Sequence, residues 1–153
     1  DIKVMPDVMN AESYQMYLMD FYTVQFANMI YVKNAFGFKI ITNDLSIVIS
    51  GDTAYSEVIA EKAQGVDLLF HEVISRQGLE QNSPDYQRSH NSVHTTSNEL
   101  ARLARIAQPK RLVLYHGLFY GTTEASVLNE IEALYDGEVI LANDLDIFTT
   151  DSR

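Results

Sequence analysis

The stretch SIVISGDTAYSEVIAEKAQGVDLLFHE, residues 46–72, places an amphipathic segment between two short apolar runs. The runs SIVIS and DLLFHE have the length and the Ile, Val and Leu content typical of buried strands. The segment between them predicts a helix over about residues 54–65 that ends at Gly65. Its predicted inner face holds Val58, Ile59 and Ala63. A strand, a helix and a strand in this order predict an α/β fold.

A further strand is predicted before this unit, at FGFKIIT, residues 36–42. Asn43 and Asp44 separate it from SIVIS, and this pair predicts a tight hairpin between the two strands. Residues 1–25 are rich in aromatic residues and Met but show no clean period. We interpret them as packing or lid residues rather than as a cofactor site.

The alternation of helices and strands continues after residue 72. The sequence TSNE at residues 96–99 fits a capping box that opens a helix. RLVLYH, residues 111–116, predicts a strand, a helix follows from about Glu124 to Tyr135, and EVILA and LDIFTT predict two closing strands. Residues 75–92 contain Gly, Asn, Ser and Pro and predict a long surface loop. The predicted buried positions of the two helices are Leu100, Leu103, Ala104 and Ala107, then Val127, Leu128, Ile131 and Leu134.

The composition argues against several classes of protein. The 153 residues have a formal net charge of −10, which repels phosphate backbones, so nucleic acid is an unfavoured partner. No apolar run approaches the roughly 20 residues that span a bilayer, and no signal-peptide pattern opens the chain, so no membrane partner is expected. Cysteine is absent, which excludes disulfides and thiolate metal sites. The compartment stays open between cytoplasm and periplasm.

Polar residues stand at the ends of three predicted strands. Asp52 follows SIVISG, the pair His71 and Glu72 ends DLLFHE, and His116 follows RLVLY. In open α/β sheets, ligands bind outside the carboxyl ends of the strands. His94 stands just before a predicted helix, at the same edge of the sheet if the connections are short. We therefore expect Asp52, Glu72, His94 and His116 to face one cleft.

Most of these polar residues also have a purely structural interpretation, and His116 is the least easily explained in that way. Asp52 fits a cap of the following helix, and Glu72 fits a solvated strand end. His94 fits a residue that packs against the start of its own helix. His71 is interpreted as a core histidine, because its side chain should alternate away from that of Glu72.

The order of these motifs resembles the C-terminal half of a metallo-β-lactamase-fold hydrolase, in its tRNase Z and arylsulfatase-like branches. The resemblance rests on SGDT, on HE, on HTTSNELARLARIAQPKRLVLYHG and on GEVILANDLDIFTT, and it covers about residues 36–150. It implies that residues 1–153 form the C-terminal half of one four-layer αββα domain. Residues 1–35 would be a poorly defined insertion or lid.

The resemblance also implies roles for the four polar residues. Asp52 matches a carboxylate that bridges two metal ions, and His116 matches a terminal imidazole ligand. His94 matches a histidine that acts as general acid, and Glu72 matches the acidic residue that orients it. A bridging carboxylate holds two ions about 3.5–4 Å apart, and an imidazole donates a proton near neutral pH. The implied cofactors are two divalent ions, zinc first, with manganese or iron as alternatives.

Two ions need more ligands than Asp52 and His116 supply. The family's His-x-His-x-Asp-His motif does not occur in this chain, nor does the further ligand histidine expected before Asp52. Because the chain begins at Asp1 rather than Met, we expect the N-terminal half of the same protein to supply the remaining ligands and to cover an apolar face. A homodimer is also compatible with the sequence.

The activity implied is hydrolysis of a small-molecule sulfate, phosphate or carboxylic ester by a metal-bound hydroxide. A tRNA 3′-processing endonuclease of the tRNase Z type is the alternative. Its pattern continues through Ser, Arg and Tyr after the strand-ending histidine, whereas this chain has HGLFYGTT, and Thr95 stands where that branch has Ser. A third hypothesis is a non-catalytic binding or regulatory module with a degenerate site.

Overall fold

Six strands form the main sheet of the structure, a computed structural model that describes residues 3–4, 15–21 and 35–149. The order of these strands in the sheet is their order in the chain. The first and the last strand of the described residues pair with each other in parallel and form a separate two-stranded sheet. In chain order the strands are β1 Lys3–Val4, β2 Gln15–Phe21, β3 Ala35–Ile41, β4 Ser46–Ile49, β5 Leu68–Ile74, β6 Arg111–Leu118, β7 Val139–Leu141 and β8 Ile147–Phe148.

Helices follow the strands in the second part of the chain and confirm the predicted α/β fold. Strands β2, β3 and β4 pair antiparallel, whereas β4, β5, β6 and β7 run parallel. Parallel neighbours need a crossover, and a helix usually provides it. The helices between residues 35 and 149 are α1 Glu57–Lys62, α2 Arg76–Glu80, α3 Pro84–Asn91, α4 Ser97–Ala107 and α5 Glu124–Glu132.

The predicted hairpin joins β3 and β4. Its turn is closed by Thr42, whose N–H donates to the Leu45 carbonyl and whose hydroxyl accepts from the Leu45 N–H at 2.9 Å. The strand β2 extends the sheet by pairing with β3 from Gln15 to Phe21. Residues 15–21 and Ala35 of the predicted insertion or lid therefore belong to the main sheet. The rest of that segment lies outside the described residues apart from Lys3 and Val4.

Apolar residues cover both faces of the sheet. On one face, residues of β4, β5 and β6 such as Val48, Leu69 and Leu112 pack with buried residues of α1, α4 and α5. On the other face, the alternate strand residues form a second cluster with β8, because successive side chains of a strand point to opposite sides. The second cluster consists of Leu45, Ile47, Leu68, Phe70, Val113 and Phe148.

Residues 75–92 do not form the predicted surface loop. They contain α2 and α3, whose first turns are capped by Ser75 and Ser83. The hydroxyl of Ser75 accepts from the Gly78 N–H, and Pro84 occupies the first turn of α3. Serine caps and a proline at the first helical position are helix-start signals. The prediction of a loop was wrong because these residues were interpreted as turn formers.

Two predicted core positions are also wrong. Val58 is 42% exposed, because the buried side of the short helix α1 runs through Ile59, Ala60 and Ala63. Leu134 is 47% exposed. It lies beyond the end of α5 at Glu132, so it does not continue the helical stripe that buries the residues before it.

Within the described residues, no helix combines the length and the hydropathy that crossing a bilayer requires.

Candidate active site

The four predicted site residues meet at one edge of the sheet, beyond β4 and beside the ends of β5 and β6. Asp52 lies in the loop that follows β4, and His94 lies between α3 and α4. Glu72 and His116 are inside β5 and β6, since both strands continue for two more residues. The expectation that these two residues end their strands is therefore wrong, although the expected edge is correct.

His116 occupies a β-bulge in β6. Glu72 of β5 pairs with Tyr115 and the next residue, Val73, pairs with Gly117, so His116 is skipped in the register. Its φ of 46° is in the left-handed region, which residues other than glycine adopt rarely. Bulges redirect side chains and are frequent beside active sites. The bulge lets β6 continue its pairing while the imidazole is presented at the open edge, where it is exposed.

Gly51 sets the path of the loop that presents Asp52. Its φ is 65°, and a Cβ at this position would overlap the backbone oxygen of Phe36 in β3. Only glycine combines this conformation with so close an approach between backbones. Asp52 follows directly, exposed at the mouth of the cleft.

Glu72 is fixed by the loops around it. Its side chain is fully buried, and its Oε1 accepts a 2.7 Å hydrogen bond from the Thr95 N–H. The Thr95 hydroxyl donates to the Thr53 carbonyl at 2.7 Å. These bonds tie the loop after β4, the strand β5 and the segment before α4 together. The orientation of the Glu72 carboxylate is therefore set by backbone contacts rather than by solvent.

His94 lies against the second oxygen of this carboxylate. Its Nδ1 is 3.3 Å from Glu72 Oε2, an ion-pair distance rather than an aligned hydrogen bond. The contact with Glu72 raises the pKa of His94. Burial raises the pKa of Glu72, while His94 and the surrounding backbone N–H groups oppose that rise. The pair therefore favours a protonated imidazole beside a buried carboxylate.

Asp52 and His116 form a second pair at the same edge. His116 Nδ1 is 3.3 Å from Asp52 Oδ1, and the His116 ring lies 5.8 Å from the His94 ring between centroids. One ligand atom from each of Glu72, His94 and His116 falls within a 4.8 Å span. The structure thus brings all four predicted residues together, in two pairs that adjoin each other.

The chemistry of these donors fits a divalent cation in part. A carboxylate and an imidazole that converge on one exposed point are a ligand set for zinc, manganese or iron. Glu72 suits a ligand role less well, because its Oε1 accepts from the Thr95 N–H and its Oε2 faces His94 Nδ1. Asp52 and His116 supply two donors, whereas a four-coordinate zinc site needs four. Within the described residues, Glu72 and His94 are the side chains that lie close enough to His116 to add a donor.

The structure decides between the interpretations of four residues. Glu72 is buried inside β5 and is not a solvated strand end. The cap of α1 is Ser56 rather than Asp52, and the cap of α4 is Thr96, whose N–H and hydroxyl both contact the Glu99 carboxylate. His94 therefore stands clear of the helix and faces Glu72. Only the interpretation of His71 as a core residue is confirmed.

His71 is fully buried in β5, and its Nδ1 lies 2.7 Å from the Glu72 carbonyl. Burial lowers the pKa of His71 to about 4, so the ring is neutral at physiological pH.

An aromatic group beside His94 was not predicted. His90 in α3 stacks on Tyr86 with 4.1 Å between ring centroids, and its Nδ1 is 2.6 Å from the hydroxyl of Tyr120. The spacing of Tyr86, His90 and His94, four residues apart, was the signal in the sequence. It was missed because residues 75–92 were predicted to be a loop, where such a spacing has no meaning.

The chain is similar in sequence to ribonuclease Z of Bacillus cereus (strain G9842), with 36% identity over 104 residues. The matched region is 67% of this chain and 32% of that protein, so the chain spans about a third of the length of this curated relative. No family model matches the chain.

Solved structures show the same fold. The metallo-β-lactamase fold protein YhfI from Bacillus subtilis has a TM-score of 0.62 at 18% identity, covering 83% of this chain and 46% of YhfI. Human tRNase Z, short form, has a TM-score of 0.55 at 20% identity, covering 91% of this chain and 43% of that protein.

Proposed function

Because the chain belongs to the metallo-β-lactamase-fold hydrolase superfamily, we propose that its cleft cleaves a phosphodiester bond in RNA, with a precursor tRNA as substrate. The observation that carries the proposal is the contact between the Glu72–His94 pair and the Asp52–His116 pair, a proton donor beside a cation-binding edge. The name ribonuclease Z, borne by a relative that is 36% identical, supports RNA as the substrate. This proposal replaces the expectation of a small-molecule ester.

Asp52 and His116 would hold a divalent cation at the open edge. When bound, such an ion lowers the pKa of a water molecule and stabilises negative charge on phosphoryl oxygens. We propose zinc as this ion, with a second zinc ion beside it. The remaining ligands would come from a segment equivalent to the part of ribonuclease Z that this chain does not match.

His94 donates a proton in this reaction. Its Nδ1 faces the buried Glu72 carboxylate, so its Nε2 is the ring atom that can reach the leaving-group oxygen. The contact with Glu72 raises the pKa of His94, which favours the protonated form that a general acid needs. Glu72 holds the ring in one orientation, and it stabilises the imidazolium until the proton moves.

A small-molecule ester is the second candidate substrate. The net charge of −10 favours it, because an acidic surface repels a polyanionic RNA unless bound cations reverse the local field.

The test is a direct comparison of substrates with the full-length gene product, loaded with zinc or manganese. We expect cleavage of a precursor tRNA at its 3′ side, with a rate that falls as salt rises. p-Nitrophenyl sulfate, p-nitrophenyl phosphate and p-nitrophenyl acetate serve as small-ester probes. Turnover of one of these probes without cleavage of the RNA would refute the RNA proposal in favour of the second candidate. A metal-loaded protein that cleaves none of the four would support a non-catalytic module.

A further inference from the structure

The rings of Tyr86, His90 and Tyr120 form a continuous aromatic group, here called the aromatic shelf, that adjoins His94. Tyr86 stacks on His90 with 4.1 Å between centroids and an angle of 28° between planes. Tyr120 meets both rings edge-on, at 5.7 Å from Tyr86 and 5.3 Å from His90. The His90 ring lies 6.1 Å from that of His94 and is tilted by only 17° to it. The shelf therefore leads from the protein surface to the proposed proton donor.

Hydrogen bonding holds the shelf in one arrangement. The Tyr120 hydroxyl lies 2.6 Å from His90 Nδ1. Burial, followed by the neighbouring Tyr86 hydroxyl, raises the pKa of Tyr120, and burial lowers the pKa of His90. A neutral phenol can donate to the Nδ1 of a neutral imidazole, and this hydrogen bond holds the two rings together.

The backbone around Tyr120 also supports this arrangement. Tyr120 has a φ of 47°, a left-handed conformation that is uncommon for a residue other than glycine. The Thr122 N–H and hydroxyl both donate to the Phe119 carbonyl and close the turn. Helix α2 packs on the same turn at Gly78, where a Cβ would overlap the Phe119 backbone oxygen. The loop after β6 is thereby held against α2, which immediately precedes the helix α3 that carries the other two rings.

The outer ring of the shelf is open to solvent. Tyr86 is 39% exposed, although His90 covers one of its faces. A large exposed ring backed by a stacked partner is a suitable platform for another planar group, since aromatic rings bind nucleobases by stacking with little dependence on base identity. The shelf is also continuous with the site, because the His90 ring lies 6.1 Å from the His94 ring. An RNA strand whose scissile phosphate lies at His94 can therefore run along the shelf.

We propose that the aromatic shelf stacks a nucleobase of the RNA within a few nucleotides of the scissile phosphate, with Tyr86 as the ring that contacts the base. This inference rests on the proposed function. It makes Tyr86 a substrate-binding residue, and it makes His90 and Tyr120 positioning residues that hold Tyr86 and one another. The shelf would recognise a planar base without reading its hydrogen-bonding edge.

The first experiment measures cleavage of precursor tRNA by the full-length gene product and its variants. Tyr86→Leu should lower kcat/KM by roughly 5- to 100-fold, the range of one lost base–aromatic stack, mainly through KM. Tyr86→Phe keeps the ring and should cleave like the parent. Leu134→Ala, an exposed change away from the site, controls for general surface effects. Equal activity of Tyr86→Leu and Tyr86→Phe would overturn the proposal.

The second experiment tests stacking itself. The chain contains no tryptophan, so Tyr86→Trp adds a fluorophore at the shelf, and subtracting the parent spectrum isolates its signal. We expect the emission to be quenched by an RNA with intact bases around the cleavage site and much less by the same RNA with abasic residues at those positions. Equal quenching by both RNAs would overturn the shelf as a base platform. Base-dependent quenching without cleavage would refute the proposed function while leaving the shelf intact.

Discussion

Nδ1 of His94 lies 3.3 Å from Oε2 of Glu72, and the Glu72 side chain is fully buried. A buried carboxylate stabilises a protonated imidazole more strongly than an exposed one does, because less water screens the interaction. The proposed proton donation by His94 depends on this pairing.

Replacing Glu72 with Gln should lower the pKa of His94. That pKa is raised in the folded chain mainly by Glu72, so the parent loses its acid form only as the pH rises through the raised value. In Glu72→Gln, His94 should lose its proton at lower pH than in the parent. As a result, kcat at neutral pH should fall by roughly 10- to 100-fold. A profile of kcat against pH measures both effects. If kcat fell at the same alkaline pH in the parent and in Glu72→Gln, the proposed effect of Glu72 on His94 would be contradicted.

His94→Ala and Asp52→Ala should separate proton donation from cation binding. Without His94, turnover should fall by roughly 100- to 10,000-fold, while the bound metal, measured by plasma mass spectrometry, stays near the parent level. Without Asp52, metal content and turnover should fall together. If His94→Ala lost metal as completely as Asp52→Ala, His94 would be a ligand rather than an acid.

Gly51→Ala should destabilise the protein more than Gly65→Ala. The two glycines have nearly the same φ, 65° and 64°, so both substitutions strain the backbone by about 1–2 kcal/mol. Only Gly51 has the Phe36 backbone oxygen where the new Cβ would lie, whereas Gly65 has open space. We expect a further loss of about 1–3 kcal/mol for Gly51→Ala, measured by urea unfolding. Equal losses would show that the loop after β4 moves freely.

Glu130→Ala should destabilise the start of α2. From α5, the Glu130 carboxylate accepts from the Arg76 N–H at 2.9 Å and the Ser75 hydroxyl at 3.0 Å, and it also contacts the Ser97 hydroxyl. Losing hydrogen bonds to a charged group should cost about 1.5–3 kcal/mol in the free energy of unfolding. Glu132→Ala, at an exposed position of the same helix, is the matched control, and a similar loss there would point to helix propensity instead.

His71 should make the protein less stable below neutral pH. Burial lowers its pKa in the folded state to about 4 from 6.5, so between these values the unfolded chain binds the extra proton. Stability contributed by His71 is present above pH 6.5 and is lost as the pH falls towards 4, with a slope of up to about 1.4 kcal/mol per pH unit. Urea unfolding at pH 5 and pH 7 measures the difference. His71→Gln should reduce it, and an unchanged difference would exclude His71 as the cause.

Local patterns account for the correctly predicted elements. The hairpin at Asn43 and Asp44, the capping box at Thr96 and the buried strand β5 follow from turn propensity, capping chemistry and apolar content. The error at Leu134 arose because α5 ends before its apolar pattern does, since packing against the sheet decides which turn is the last. The error at Val58 arose because packing buries the neighbouring side of α1, at Ile59, Ala60 and Ala63.

The sequence by itself determined the α/β alternation and the edge at which Asp52, Glu72, His94 and His116 gather, because hydrophobic period and the polarity of strand ends are properties of short segments. Tertiary structure alone decided how these residues pair. The bulge that presents His116 and the burial of the Glu72 carboxylate depend on which strands and loops become neighbours. Contacts between residues 20 or more positions apart cannot be read from either segment alone, so the partners and protonation of these side chains emerge only when the sheet is assembled.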